Sequence, residues 1–205
     1  MKITILGAGN VGSALGRGWM AAGHSVLFGT RNALSPKTQK MLDLIPDARI
    51  LSVEDAVKDM DVLVVTTPPE TVLDLIPRLG DLSGKIIIDA TNSVRTKPEP
   101  YATAFHAIKA LVPSAEVVKC FNTTGFENLL DPVYNGIGID MFAAGNSLQA
   151  KQTATQLAKD LEFENCYDFG GDDKVELLEK FALSWINLAI VQGHGRNIAF
   201  KLLKR

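Results

Sequence analysis

Short apolar runs alternate with stretches of helical spacing along almost the whole chain. Lys2–Leu6, Ser25–Phe28, Ala48–Leu51, Val62–Thr66, Lys85–Asp89 and Glu116–Lys119 read as strands, several of them apolar at consecutive positions. Consecutive apolar positions mark strands covered by helices on both faces, which is the environment of a parallel sheet. Between them Val11–Ala22, Pro36–Leu44, Val53–Met60, Pro69–Leu79 and Glu99–Leu111 carry helical spacing or helix-start chemistry. Ser52 with Asp55 three residues on resembles a capping box, and Pro36 suits a first helical turn. Repeated βα units predict an α/β fold, a Rossmann-type doubly wound and mostly parallel sheet. Gly138–Ala144 and Asn165–Phe169 read as further strands around a helix at Leu148–Leu161. A long helical pattern then runs from Asp173 to Leu203, interrupted near Gly193-His194-Gly195. The expected organisation is a Rossmann domain over 1–146 and a small, non-independent C-terminal αβ/helical lobe over 147–205.

The 205 residues are 46% hydrophobic and 21% charged, ordinary values for a globular chain with its own core. A formal net charge of -2 without basic runs argues against nucleic acid or an anionic membrane as partner. Cys120 and Cys166 are far apart in sequence and form no C-x-x-C pair, so neither a disulfide framework nor a zinc site is expected. The longest apolar stretch, Phe181–Val191, is broken by Ser184 and Asn187 and is too short to span a bilayer. The chain reads as soluble and cytoplasmic.

Residues Gly7-Ala8-Gly9-Asn10-Val11-Gly12 form G-x-G-x-x-G directly after the first strand and at the start of a helix. The first glycine permits a tight turn, the second lets backbone approach a pyrophosphate, and the third lets helix and strand pack closely. Helix amides and the helix dipole then face the phosphates. An NAD-selecting protein places a carboxylate at the end of the second strand, to bond the ribose 2′-hydroxyl. Here that strand runs into Gly29-Thr30-Arg31-Asn32. Arg31 can fork onto a 2′-phosphate and stack on adenine, and Thr30 and Asn32 add neutral donors, with Lys37 and Lys40 nearby in sequence. The expected cofactor is NADP(H).

Three further strand ends are polar: Thr66-Thr67-Pro68-Pro69, Asp89-Ala90-Thr91-Asn92-Ser93 and Lys119-Cys120-Phe121-Asn122-Thr123-Thr124. Ligands of such sheets bind beyond the carboxyl ends of the strands, although the same residue types are also plain turn chemistry. No G-x-S-x-G, no H-E-x-x-H and no dense Asp/Glu/His cluster is present, so no catalytic acid or base and no metal ligand is assigned. His24, which precedes the second strand, reads as structural. Gly193-His194-Gly195-Arg196 reads as a glycine break in a packed helix. Carbonyl or imine reduction normally needs a proton donor beside the hydride acceptor, whereas exchange with a flavin-like ring needs mainly stacking and alignment.

Lys2–Gly12, Gly29–Arg31, Thr67–Pro69, Asp89–Asn92 and Lys119–Thr123 together resemble the NADP oxidoreductase, coenzyme F(420)-dependent family. The likeness runs from residue 1 to about Asn146 and more loosely beyond. It implies direct hydride transfer between the nicotinamide of NADP(H) and a deazaflavin, coenzyme F(420), or a flavin as small-molecule redox acceptor. It also implies that Ala8 to Gly12, Thr30 and Arg31 hold the adenosine and phosphates, and that Thr67, Pro68 and Asn92 border the nicotinamide. Asn122 and Thr123 are the candidates for contact with the second substrate. A small imine or carbonyl reductase and a catalytically silent NADP(H)-sensing regulator stay open. Phe181, Trp185, Ile186, Ile190 and Phe200 read first as core and next as the seam of a homodimer.

Overall fold

A computed structural model describes all residues from Met1 to Arg205. Its strands are β1 (Lys2–Leu6), β2 (Ser25–Gly29), β3 (Arg49–Leu51), β4 (Val62–Val65), β5 (Ile86–Asp89), β6 (Glu116–Lys119), β7 (Val133–Tyr134), β8 (Ile137–Gly138), β9 (Asp140–Ala144) and β10 (Asn165–Gly170). The helices are α1 (Asn10–Ala21), α2 (Pro36–Leu44), α3 (Val53–Ala56), α4 (Val72–Leu75), α5 (Ala104–Leu111), α6 (Phe126–Leu130), α7 (Leu148–Lys159) and α8 (Val175–Ile186). Eight strands form one sheet in the order β10-β9-β6-β5-β4-β1-β2-β3, and β7 and β8 form a separate hairpin. All pairs in the large sheet are parallel except β6 with β9. The four residues of β4 and of β5 are all buried, as the unbroken apolar runs predict. One core lies on each face of the sheet: Leu15, Trp19, Phe28 and Met141 on one, Leu63, Ile87, Phe105 and Leu178 on the other.

Several expected helices are shorter than their patterns. Val53–Met60 yields only α3, capped by the Ser52 hydroxyl, which accepts from the Asp55 amide. Within Pro69–Leu79, α4 is flanked by single 3-10 turns at Pro69–Thr71 and Ile76–Leu79, because Pro77 has no amide to continue the α ladder. The Glu99–Leu111 helix begins at Ala104 with Thr103 as its cap, since Pro98 and Pro100 hold the preceding segment out of helical hydrogen bonding.

The C-terminal region differs more. The two strands expected there form as β9 and β10 and extend the central sheet, so the region past residue 146 shares the sheet of the first part. The helix expected to reach Leu203 ends with α8 and a π-turn at Asn187–Val191. Gly193 and Gly195 have φ of +74° and +81°, left-handed values that stop a helix. The tail that follows is a strap. The Ile198 carbonyl accepts from Trp185 Nε1 and from Asn128 Nδ2, both at 2.7 Å, and the Leu202 amide donates to Asp140 Oδ2 at 2.7 Å. Phe200 lies on this strap and stacks on Phe181 with ring centroids 4.5 Å apart. No helix is long and apolar enough to cross a membrane.

Candidate dinucleotide site

The turn from β1 into α1 is built by close approach. Gly7 has φ +114°, which only glycine adopts cheaply, and its amide donates to the Gly29 carbonyl at 3.3 Å. Thr66, just past β4, donates its hydroxyl to the Leu6 carbonyl at 2.9 Å and so ties the strand end to the loop. A Cβ at Gly12 would lie 2.3 Å from the Gly7 carbonyl oxygen and 2.8 Å from Thr66 Oγ1. Gly9 is different. Its φ of -81° suits any residue, and a Cβ there would meet nothing within 4 Å. Gly9 therefore faces open cleft, and no side chain caps the first turn of α1. The amides of that turn remain available to an anion.

The cleft encloses about 300 Å³ and is lined by Gly7, Ala8 and Gly9 on one side and by Gly29, Thr30, Arg31 and Asn32 on another. Thr67 and Pro68, beyond β4, also line it. The Thr30 hydroxyl is buried and has no hydrogen-bond partner in the protein. A buried polar atom without a partner costs free energy that a bound ligand would recover. Arg31 is exposed on the rim. Asn32 mainly orders the loop, its Oδ1 accepting from the Leu34 amide at 2.9 Å and its carbonyl from Thr38 Oγ1 at 3.1 Å. Lys37 lines the cleft, and Lys40 is not among its lining residues. Asn10 opens α1 as an exposed residue, while Val11 is half-buried and Gly12 buried. The open space at Gly9, the bare helix terminus, the unpartnered Thr30 hydroxyl and the cation at Arg31 fit NADP(H).

Sequence reasoning missed the opposite wall, formed by Val53, Asp74, Leu75 and Arg78. Arg78 is held there by Glu54, with Nε 3.0 Å from Oε1. Its signal is weak in sequence, because Glu54 and Arg78 are 24 residues apart and each looks like an ordinary surface charge.

The other two polar strand ends lie outside this cleft lining. Asn92 and Asn122 pair with each other: Asn92 Nδ2 donates to the Asn122 carbonyl at 3.3 Å, and Asn122 Nδ2 donates to Asn92 Oδ1 at 3.2 Å. Asn122 Oδ1 and Thr91 Oγ1 are buried without partners. Thr123 is 3% exposed and turns its hydroxyl toward the Met141 sulfur at 3.6 Å, away from solvent. Beneath these ends Lys119 and Asp89, both fully buried, approach to 3.0 Å, and Glu179 of α8 approaches Lys119 to 2.7 Å. Burial pushes the Glu179 carboxyl above its ordinary value, against the lowering pull of Lys119. Sequence reading passed over this cluster, although two opposite charges closing adjacent apolar strands, Ile-Ile-Ile-Asp89 and Val-Val-Lys119, are a legible sign of pairing in a parallel register.

The remaining motifs are structural in their contacts. His24 Nε2 pairs with Asp160 Oδ2 at 2.8 Å and ties the turn before β2 to the end of α7. Arg196, after the glycine break, pairs with Glu127 and lies over the rings of Trp185 and Phe126.

A Rossmann sheet with this glycine loop is the architecture of a dinucleotide-binding protein, and the relatives that the chain matches mark its class as an NADP-dependent oxidoreductase. The model of the family described as NADP oxidoreductase, coenzyme F(420)-dependent, matches residues 2–93 of the chain. The chain is 27% identical to an F(420)-dependent NADP reductase of Methanothermobacter thermautotrophicus over 98% of this chain and 94% of that protein. It is 28% identical to rat Metalloreductase STEAP3 over 79% of this chain, but spans only 32% of that protein's length. The crystal structure of a protein from Arthrobacter sp. FB24 described as an F(420)-dependent NADP-reductase superposes with a TM-score of 0.87 at 27% identity, covering both chains fully.

Arg31 supplies a direct test of the cofactor. NADPH is expected to bind at least about tenfold tighter than NADH, about 1.4 kcal/mol, and Arg31→Asp should erase or invert that ratio. Titration calorimetry with both nucleotides decides it, and equal wild-type affinities would refute the assignment.

Proposed function

We propose that this protein transfers hydride between NADP(H) and a deazaflavin or flavin acceptor. The observation that carries the reading is the match to F(420)-dependent NADP reductases over nearly the full length of both partners, 93% of each for the Methanocaldococcus jannaschii protein. The likeness to the metalloreductase is confined to about a third of that protein and supports the dinucleotide half only. The chemistry at the strand ends agrees. Asn92 and Asn122 present amides, which align a bound ring but do not exchange protons, and hydride exchange between two ring systems needs alignment above all.

Bound NADP(H) supplies the hydride. The protein's own part is to seat the phosphates on the first turn of α1, to hold the 2′-phosphate at Thr30 and Arg31, and to set the nicotinamide beside Thr67, Pro68 and Asn92. The same reading takes the chain to work in the cytoplasm as a homodimer. The exposed Leu183, Ile190 and Val191 of α8 and its π-turn would lie at the seam, and a monomer in sedimentation at working concentration would overturn that part.

NADPH deuterated on its transferring face, offered deazaflavin, FMN, FAD and small cyclic imines, tests the proposal. Deuterium should appear at the receiving carbon of deazaflavin or flavin, with none washed out to solvent. Turnover of imines alone would favour an imine reductase, and tight NADPH binding without any turnover would favour a sensor.

A further inference from the structure

Three ionisable side chains lie under the carboxyl end of the sheet, where apolar packing would cost less. Asp89 closes β5, Lys119 closes β6 at the paired position, and Glu179 reaches Lys119 from α8. They are 0%, 0% and 5% exposed. The Lys119 ammonium donates to Asp89 Oδ2 at 3.0 Å and to the Thr91 carbonyl at 2.7 Å, and it forms an ion pair with Glu179 Oε1 at 2.7 Å, an oxygen that is buried without a hydrogen-bond partner. Each carboxylate spends its other oxygen on a backbone amide. Asp89 Oδ1 accepts from Thr91 and Glu179 Oε2 from Ser93, both at 2.9 Å. The Ser93 hydroxyl then accepts from the Ala104 amide at 3.1 Å, at the start of α5.

Every bond leaving the cluster ends on the backbone of residues 91–93, and Asn92 is the residue between the clamped positions. A buried ion cluster is a poor device for stability, since well-packed apolar residues of similar volume do as well or better. It is a good device for holding a short segment in one conformation, because each charge fixes the direction of its partners. The neighbouring strand end is held as tightly. Phe121 has φ +67°, a left-handed value unfavourable for a bulky residue, and this turn presents Asn122 to Asn92. The members of the cluster are closed to solvent, which suits them to holding a segment rather than to exchanging protons with a substrate.

We propose that Lys119, Asp89 and Glu179 are positioning residues, a buried ion cluster that holds the Asn92 amide at the nicotinamide end of bound NADP(H) by fixing the backbone of residues 91–93. The proposal rests on the reading of the chain as an NADP(H)-dependent hydride-transfer enzyme.

Glu179→Gln tests it, because the shape is kept while one of two acceptor oxygens is lost. Its NADPH Kd should stay within about threefold of the parent, since phosphates and adenosine bind elsewhere, while single-turnover transfer to deazaflavin falls about tenfold. The fluorescence of bound NADPH, which reports how rigidly the dihydronicotinamide is held, should fall about twofold toward that of the free nucleotide. Asn92→Ala should reproduce both effects, and the double variant should be no worse than the poorer single one, because the two changes act through the same amide. Multiplying effects, an NADPH affinity that weakens as much as transfer does, or unchanged fluorescence and transfer would each overturn the proposal. Should Glu179→Gln fail to fold, Asp89→Asn carries the same test. A parent protein that passes no hydride to deazaflavin, FMN or FAD would refute the proposed acceptor class, and the fluorescence comparison would still decide the positioning role.

Discussion

Gly9→Val is expected to fold as stably as the parent and to lose NADPH binding by at least about a hundredfold, ~2.7 kcal/mol. Gly9 has φ -81°, so valine meets no backbone strain, and no protein atom lies within 4 Å of its Cβ. The empty space is the cleft floor in front of α1, and a branched side chain there blocks the approach of a pyrophosphate to the helix amides. Gly12→Ala should behave in the opposite way. Its methyl would stand 2.3 Å from the Gly7 carbonyl oxygen, a backbone atom that cannot swing aside, so β1 and α1 must separate. A destabilisation of about 3 kcal/mol is expected, at the upper end for overpacking. Urea unfolding and titration calorimetry on both variants separate the two outcomes. A Gly9→Val protein with parental NADPH affinity would show that the nucleotide does not lie on this loop.

The second large effect is on stability. Lys119→Met should cost about 3–5 kcal/mol, the usual consequence of leaving buried charges without their partner. Methionine matches the lysine stem but leaves Asp89 and Glu179 facing each other with no cation between them. The sign of the pH dependence follows from Glu179. Burial raises its folded-state value above that of the unfolded chain, so the folded state binds the extra proton and stability falls as pH rises past the unfolded value. Removing the ammonium takes away the cation that opposes this rise. The deficit of Lys119→Met against the parent should therefore be largest at neutral pH and narrow at mildly acidic pH, as Glu179 takes up its proton. Adding Asp89→Asn and Glu179→Gln to Lys119→Met should restore much of the loss. Urea midpoints at the two pH values check both statements, and a pH-independent deficit would mean that Glu179 does not titrate against Lys119 in the folded protein.

Features set by a few neighbouring residues were legible in the chain. The six βα units follow from short apolar-rich runs, and β4 and β5, buried at every position, need no alternation. The loop Gly7–Gly12 follows from glycine spacing, because the turn, the open floor and the close contact each exclude a Cβ for a separate reason. Arg31 at the end of β2 is as local a signal. Helix ends were legible only where a cap or proline stood in the expected place, as at Ser35 before α2, and were overestimated where Pro77, Pro98 and Pro100 interrupt a favourable pattern.

What the tertiary structure alone decided involves residues distant in the chain. Helical spacing through Asp173–Leu203 could not reveal that Ile198 and Leu202 trade helical bonds for contacts with Asn128, Trp185 and Asp140. A strap hydrogen-bonded to the body satisfies its backbone without a helix, and nothing in the local sequence records where those partners stand. Thr123 reads as a polar strand-end residue, yet it is buried and its hydroxyl donates to the Met141 sulfur of the neighbouring β9. Asp89, Lys119 and Glu179 read as three unrelated charges until the parallel register sets the first two side by side and α8 brings in the third. Spacing along the chain determines which segments are strands and which loop can take a phosphate. Which polar groups are buried together depends on register and on packing over separations of 30 to 90 residues, and only the assembled fold contains that information.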